Sequence, residues 1–252
     1  MRRPVPLSSE RRIDVSGVYN VRDLGGHPAK DGRRTRLGRF VRADLLSGLP
    51  AESQETLLGY GIRTDVDLRT DLETELLPSS FAGRPGIGYH HHDLQGDPPP
   101  PGFDLGAPER SLAYSYVALM DARRSPVRDV LTTLCNGDGS AAVFFCAGGT
   151  DRAGIIAALL LAIAGVPDEA IAEGYSLSAQ GLVDRFVAEG APRWMSHDDL
   201  VFGRVLETLA LPSIMIEMLQ LVRQDFGGVE SYLRTIGLTA AQIENLRDSF
   251  VE

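Results

Sequence analysis

The sequence predicts an α/β domain: a central, mainly parallel sheet flanked by helices, with a helical C-terminal extension. Three observations predict it. Short apolar runs alternate with helix-period segments through the first two thirds of the chain. The run A-A-V-F-F at Ala141–Phe145 has the length and residue types of a strand buried on both faces, and the tract from Arg152 to Ala164 those of a buried helix. From Asp168 onward the apolar positions follow only the helical period.

Taken in order, residues 1–12 form a polar arm, and residues 13–252 a single domain. Residues 13–42 are rich in turns. Asp31-Gly32 suits a hairpin turn between short strands, with Leu37–Val41 as the second. Residues 49–59 read as a helix, Gly61–Arg69 as a core strand and Gly88–Asp93 as a shorter one. Gln95–Pro108, with four consecutive prolines, is a loop without regular structure. Helices are expected at 112–121, 126–135, 152–164, 168–173, 178–189, 198–209, 214–226, 228–236 and 239–250.

With 252 residues, 43% of them hydrophobic, the chain can bury one sizeable core. A formal net charge of −9 argues against nonspecific nucleic-acid binding. The apolar tract Ala153–Val166 is shorter than the roughly 20 residues that span a bilayer. The basic N-terminus lacks the apolar stretch of a secretory signal, so a cytoplasmic protein is expected. Cys135 and Cys146 are too few for a disulfide framework, and Cys135 sits in an apolar helical pattern that places it in the core. Lys30 is the one lysine; the other 24 cations are arginines, whose planar forks suit phosphate and carboxylate.

The chemistry concentrates in V-F-F-C-A-G-G-T-D-R-A-G, residues 143–154. Gly148 and Gly149 allow a left-handed backbone and close approach to a ligand. A curled loop ahead of a helix aims several backbone N–H groups into one concavity, and the helix adds its positive end. Arg152 closes the cup with a bidentate fork. Cys146 lies at the base, where such a field lowers a thiol pKa. The loop Cys146–Arg152 thus reads as an anion cradle over a nucleophile, suited to a tetrahedral phosphate.

This C-x5-R loop resembles that of the cysteine-dependent protein tyrosine phosphatases. C-A-G-G-T-D-R-A-G is similar to the signature H-C-x-A-G-K-D-R-T-G of the bacterial tyrosine/lipid phosphatases. N-V-R-D-L-G-G at Asn20–Gly26, G-I-R-T-D-V-D-L-R at Gly61–Arg69 and G-G-V-E-S-Y-L at Gly227–Leu233 resemble further motifs of that family, in the same order. The resemblance covers about residues 13–250 and implies a tyrosine-phosphatase-like fold. Three positions depart from it. The histidine before the cysteine is Phe145, the loop lysine is Thr150, and the threonine after the arginine is Ala153. The histidine favours the thiolate and the lysine serves anionic substrates, phosphoinositides included. The threonine hydroxyl can assist the second step.

The resemblance implies that Cys146 attacks phosphorus, that Arg152 and the amides of Ala147, Gly148, Gly149 and Thr150 bind the phosphoryl oxygens, and that Asp151 protonates the leaving group. Asp93, Asp97 and Asp104, around the proline-rich loop, are rival acids. Arg69 and Arg22 are further candidate substrate contacts, with a structural ion pair as the alternative for each. On a strand, only His90 and His92 of the histidine triplet share a face, too few to hold a metal. No cofactor or metal is implied. Arg33, Arg34, Arg36 and Arg39 read as a solvated basic run, and Trp194 and Met195 as pocket cover or helix packing. The expected partner is a phosphoprotein or a small phosphorylated molecule. The expected activity is phosphomonoester hydrolysis. The alternatives are a weakly active phosphate-binding module, or elimination or cyclisation of a phosphorylated substrate.

Overall fold

A computed structural model describes residues 11–102, 109–137, 139–190 and 210–252. Most of the expected N-terminal arm, the expected helix at 198–209, Asp104, Trp194 and Met195 lie outside the described residues. Among the described residues the sheet has five strands: β1 (Arg22–Asp23), β2 (Phe40–Ala43), β3 (Ile62–Asp67), β4 (Gly88–His91) and β5 (Ala141–Phe145), in the order β1-β2-β5-β3-β4. Only β1 runs antiparallel, pairing Arg22 with Arg42. β2, β5, β3 and β4 are parallel, so their carboxyl ends share one edge, where open α/β sheets bind ligands.

Helix α1 (Ala51–Tyr60) links β2 to β3, and α2 (Asp71–Leu76) follows β3. Helices α3 (Glu109–Ala122) and α4 (Arg124–Cys135) precede β5. After β5 come α5 (Asp151–Ile163), α6 (Asp168–Ser176), α7 (Ser178–Glu189), α8 (Pro212–Phe226), α9 (Val229–Thr235) and α10 (Ala240–Phe250). The long strand of the N-terminal region starts at Phe40, later than the turn chemistry suggested. Asp31-Gly32 does turn the chain, but within a small ladder that bridges Pro28 to Arg34.

Strand alternation builds two cores. In β5, Ala142 and Phe144 face the large helical cluster, whereas Ala141, Val143 and Phe145 face a smaller one with Ile13, Leu46 and Leu57. Helix α5 is buried around nearly its whole circumference, which explains its unbroken apolar run. Cys135 packs against α10, where its Sγ lies 3.6 Å from the Gln242 carbonyl oxygen. Among the described residues no helix is long and apolar enough to cross a membrane.

Candidate functional site

β5 ends at Phe145, and Cys146 opens a tight loop at the carboxyl edge of the sheet before α5 begins at Asp151. Gly149 alone of the two loop glycines has a positive φ, +66°. A Cβ there would lie 2.7 Å from the Ala43 carbonyl oxygen and 2.8 Å from the Asp44 nitrogen. The loop therefore presses directly on the end of β2.

Four successive loop carbonyls are held from outside. Arg185 Nη1 donates to the Ala147 oxygen (2.9 Å), Asn20 Nδ2 to Gly148 (3.1 Å), Arg42 Nε to Gly149 (2.6 Å) and Arg42 Nη2 to Thr150 (3.4 Å). In a trans peptide the following N–H points opposite to its carbonyl. The amides of residues 148–151 therefore turn away from these three side chains and toward the loop interior. The first N–H groups of α5, which have no acceptor within their own helix, lie at the same place.

Arg42 carries much of this arrangement. It is buried, its ring neighbour is Tyr175 at 5.9 Å, and it also donates to Ser178 Oγ at the start of α7. Burial lowers its pKa, opposed by nearby groups that include Cys146 and Asp151. Asn20 is oriented in turn: its Oδ1 accepts from Arg22, which also donates to the Leu177 oxygen at 2.7 Å. Asp44 accepts from the Asn20 amide at 2.9 Å, and burial pushes its carboxyl up to about 6.

Arg152 is buried on the first turn of α5 and forks onto Glu73 of α2, with Nη1–Oε2 at 2.6 Å and Nη2–Oε1 at 2.9 Å. Glu73 is held in place because it closes a capping box with Thr70. Burial alone would raise the Glu73 pKa, but the Arg152 bond and charge and the Thr70 bonds outweigh it and set it below its usual value. Asp151 remains partly exposed; its Oδ1 accepts from Tyr116 at 2.5 Å, and the Tyr116 hydroxyl lies 2.7 Å from that of Tyr175. Withdrawal from water raises the Asp151 carboxyl, against the Tyr116 bond and the Arg152 charge.

The structure thus gathers Cys146, Ala147, Gly148, Gly149, Thr150, Asp151 and Arg152 in one strand-to-helix loop, with Cys146 buried at its base and Arg22 tied to the loop through Asn20. Arg69 takes its alternative place. It is buried, forks onto Asp67 at 2.9 and 2.6 Å, donates to the Leu77 oxygen and stacks over Phe145 at 5.0 Å. Phe145 thereby fills the position of the family histidine with a ring packed under a guanidinium. Ala153 is buried, and the Thr150 hydroxyl donates to the Gly148 oxygen at 3.3 Å. Asp93 accepts from the Gln95 and Gly96 amides, which fixes the start of the proline-rich loop, and Asp97 is exposed. His90 and His92 share one face with parallel rings 6.5 Å apart, while His91 Nε2 meets the Arg69 oxygen.

Arg42, Asn20, Arg185, Glu73, Tyr116 and Tyr175 were not singled out by sequence reasoning. Three carried a signal, Asn20 by opening the motif N-V-R-D-L-G-G and two others by residue type and spacing. An arginine inside the apolar strand F-V-R-A must find buried acceptors. Thr70-Asp71-Leu72-Glu73 has the spacing of a capping box.

Compared with known proteins, residues 13–252 match the tyrosine phosphatase family. A Nostoc commune protein named tyrosine-protein phosphatase is 29% identical over 227 residues, covering 82% of this chain and 72% of that one. A Cupriavidus necator protein named for the same activity is 25% identical over 254 residues, covering 92% of this chain and 86% of its own.

Proposed function

The chain belongs to the tyrosine phosphatase family, and from that premise we propose that it hydrolyses phosphomonoesters through a cysteinyl-phosphate intermediate. The observation that carries the proposal is the outward tethering of four loop carbonyls around Cys146, which leaves inward amides for an oxyanion. In this reading the Cys146 thiolate attacks phosphorus. The amides of Gly148, Gly149 and Thr150, which these tethers orient, together with the Ala147 amide and Arg152, hold the equatorial oxygens, and Asp151 gives its proton to the departing oxygen. Water then attacks the phosphorus, Asp151 recovers a proton, the S–P bond breaks and phosphate leaves. Arg22 enters as the residue that orients Asn20 against the loop, and Arg69 as the partner of Asp67.

The substrate is phosphotyrosine, as the names of the relatives suggest, or a small phosphorylated metabolite. Thr150 in place of the family lysine favours the smaller anion. The test is hydrolysis of p-nitrophenyl phosphate. Turnover that withstands EDTA, stops with vanadate and disappears in Cys146→Ser supports the proposal; turnover that survives Cys146→Ser overturns it. A weakly active phosphate-binding module is the second reading, favoured by Phe145 and Ala153. It predicts vanadate binding without turnover. Mass spectrometry of compounds that co-purify with Cys146→Ser identifies the substrate class.

A further inference from the structure

We infer that Tyr116, backed by Tyr175, is a positioning residue that reserves Asp151 Oδ1, so that the transferable proton sits on Oδ2. The inference rests on the phosphatase reading above and adds residues from two elements outside the loop. Asp151 occupies the first position of α5, near Arg152 of the same helix and Arg42 of β2, two cations that also act on Cys146. Burial favours the protonated form of its carboxyl, while the helix end and the cations pull toward the ionised carboxylate, the wrong form for an acid. Something must govern where its proton goes.

Tyr116 of α3 and Tyr175 of α6 are almost wholly buried, at 0% and 2% exposure. Burying two hydroxyls is costly unless they are bonded. Here they meet each other at 2.7 Å, and the Tyr116 hydroxyl alone meets Asp151 Oδ1, at 2.5 Å. A carboxylate only accepts, so Tyr116 donates to it, and the Tyr116 oxygen then accepts from Tyr175. Burial holds the Tyr116 hydroxyl well above its usual pKa, so it stays a donor across the working range. With Oδ1 filled, an incoming proton is taken by Oδ2. When the thiolate–phosphorus bond forms and the ester P–O bond breaks, the electron pair leaves on oxygen and the Oδ2 proton follows it. Gly154 gives the Tyr175 ring room: a Cβ there would lie 3.1 Å from it, tighter than ordinary contact.

The test compares an aryl phosphate of good leaving ability, p-nitrophenyl phosphate, with an alkyl phosphate such as glycerol phosphate. Asp151→Asn is expected to lose far more on the alkyl ester, within the 100- to 10,000-fold range of general acids. Tyr116→Phe is expected to lose about tenfold more kcat on the alkyl than on the aryl ester, with KM little changed. It also moves the alkaline limb of the alkyl pH profile upward, because a bond to the carboxylate form is gone. Tyr175→Phe shows the same pattern more weakly. In the Asp151→Asn background, Tyr116→Phe adds no further leaving-group dependence. Equal losses on both esters in Tyr116→Phe, with Asp151→Asn still selective, overturn this inference and leave the phosphatase reading standing. Equal losses in Asp151→Asn overturn the acid assignment and this inference with it.

Discussion

Gly149 and Gly148 are neighbours with different obligations. At Gly149 the positive φ and the press of the Ala43 oxygen both forbid a side chain. At Gly148 a Cβ would meet only side-chain atoms, the end of Leu182 at 3.3 Å and the Thr150 Oγ1 at 3.7 Å. Gly149→Ala is therefore expected to lower kcat/KM at least about 100-fold and to weaken vanadate inhibition in parallel, since a cradle shifted by an ångström loses its geometry. Gly148→Ala should lose less than about tenfold. Steady-state kinetics on p-nitrophenyl phosphate separates the two, and equal losses would remove the special role of Gly149. That the loop needed glycine was legible in the sequence; which glycine bore the strain was not. That distinction depends on the end of β2, more than a hundred residues away in the chain. The same distance hides Arg42, whose acceptors at Gly149 and Thr150 lie far downstream.

Among the elements, the strand–loop–helix unit from Ala141 to Ile163 was readable because a two-sided apolar strand and an all-round apolar helix have unmistakable patterns. α2 was not. Its sequence D-L-E-T-E-L buries no residue, so periodicity says nothing, yet its Glu73 holds Arg152. Exposed Leu72 and Leu76 add no amphipathic signal. What makes α2 a helix is its capping box, in which the Thr70 hydroxyl accepts from the Glu73 amide and the Glu73 carboxylate accepts from the Thr70 amide. Thr70→Ala is expected to cost about 1 kcal/mol in urea unfolding. It should also weaken vanadate inhibition several-fold, because Glu73 loses one of its two anchors. Thr70→Ser should restore both. A stability loss with unchanged vanadate affinity would show that α2 does not govern the arginine.

For the whole molecule, buried titratable groups make folding depend on pH, and Asp65 contributes one such dependence. Asp65 on β3 is fully buried, and its Oδ2 accepts from Ser79 at 2.7 Å. Burial pushes it up to about 7, against the Ser79 bond, while an unfolded aspartate titrates near roughly 3.9. An acid raised on folding contributes most below its unfolded pKa, and that contribution is lost as pH rises through the folded value. Its loss between about pH 4 and 7 amounts to a few kcal/mol, at about 1.4 kcal/mol per pKa unit. His27, depressed to about 4 by burial, acts in the opposite direction and adds stability as pH rises from about 4 to 6.5. Asp65→Asn should therefore gain on the parent protein as pH rises. Urea midpoints at pH 4.5 and pH 8 test this, and a gap that stays constant would refute it. The outward pull on the loop carbonyls has one more effect, visible by hydrogen–deuterium exchange. Amides that face an empty cup swap their hydrogens with water freely, so deuterium uptake at residues 148–151 should slow sharply only when vanadate fills it.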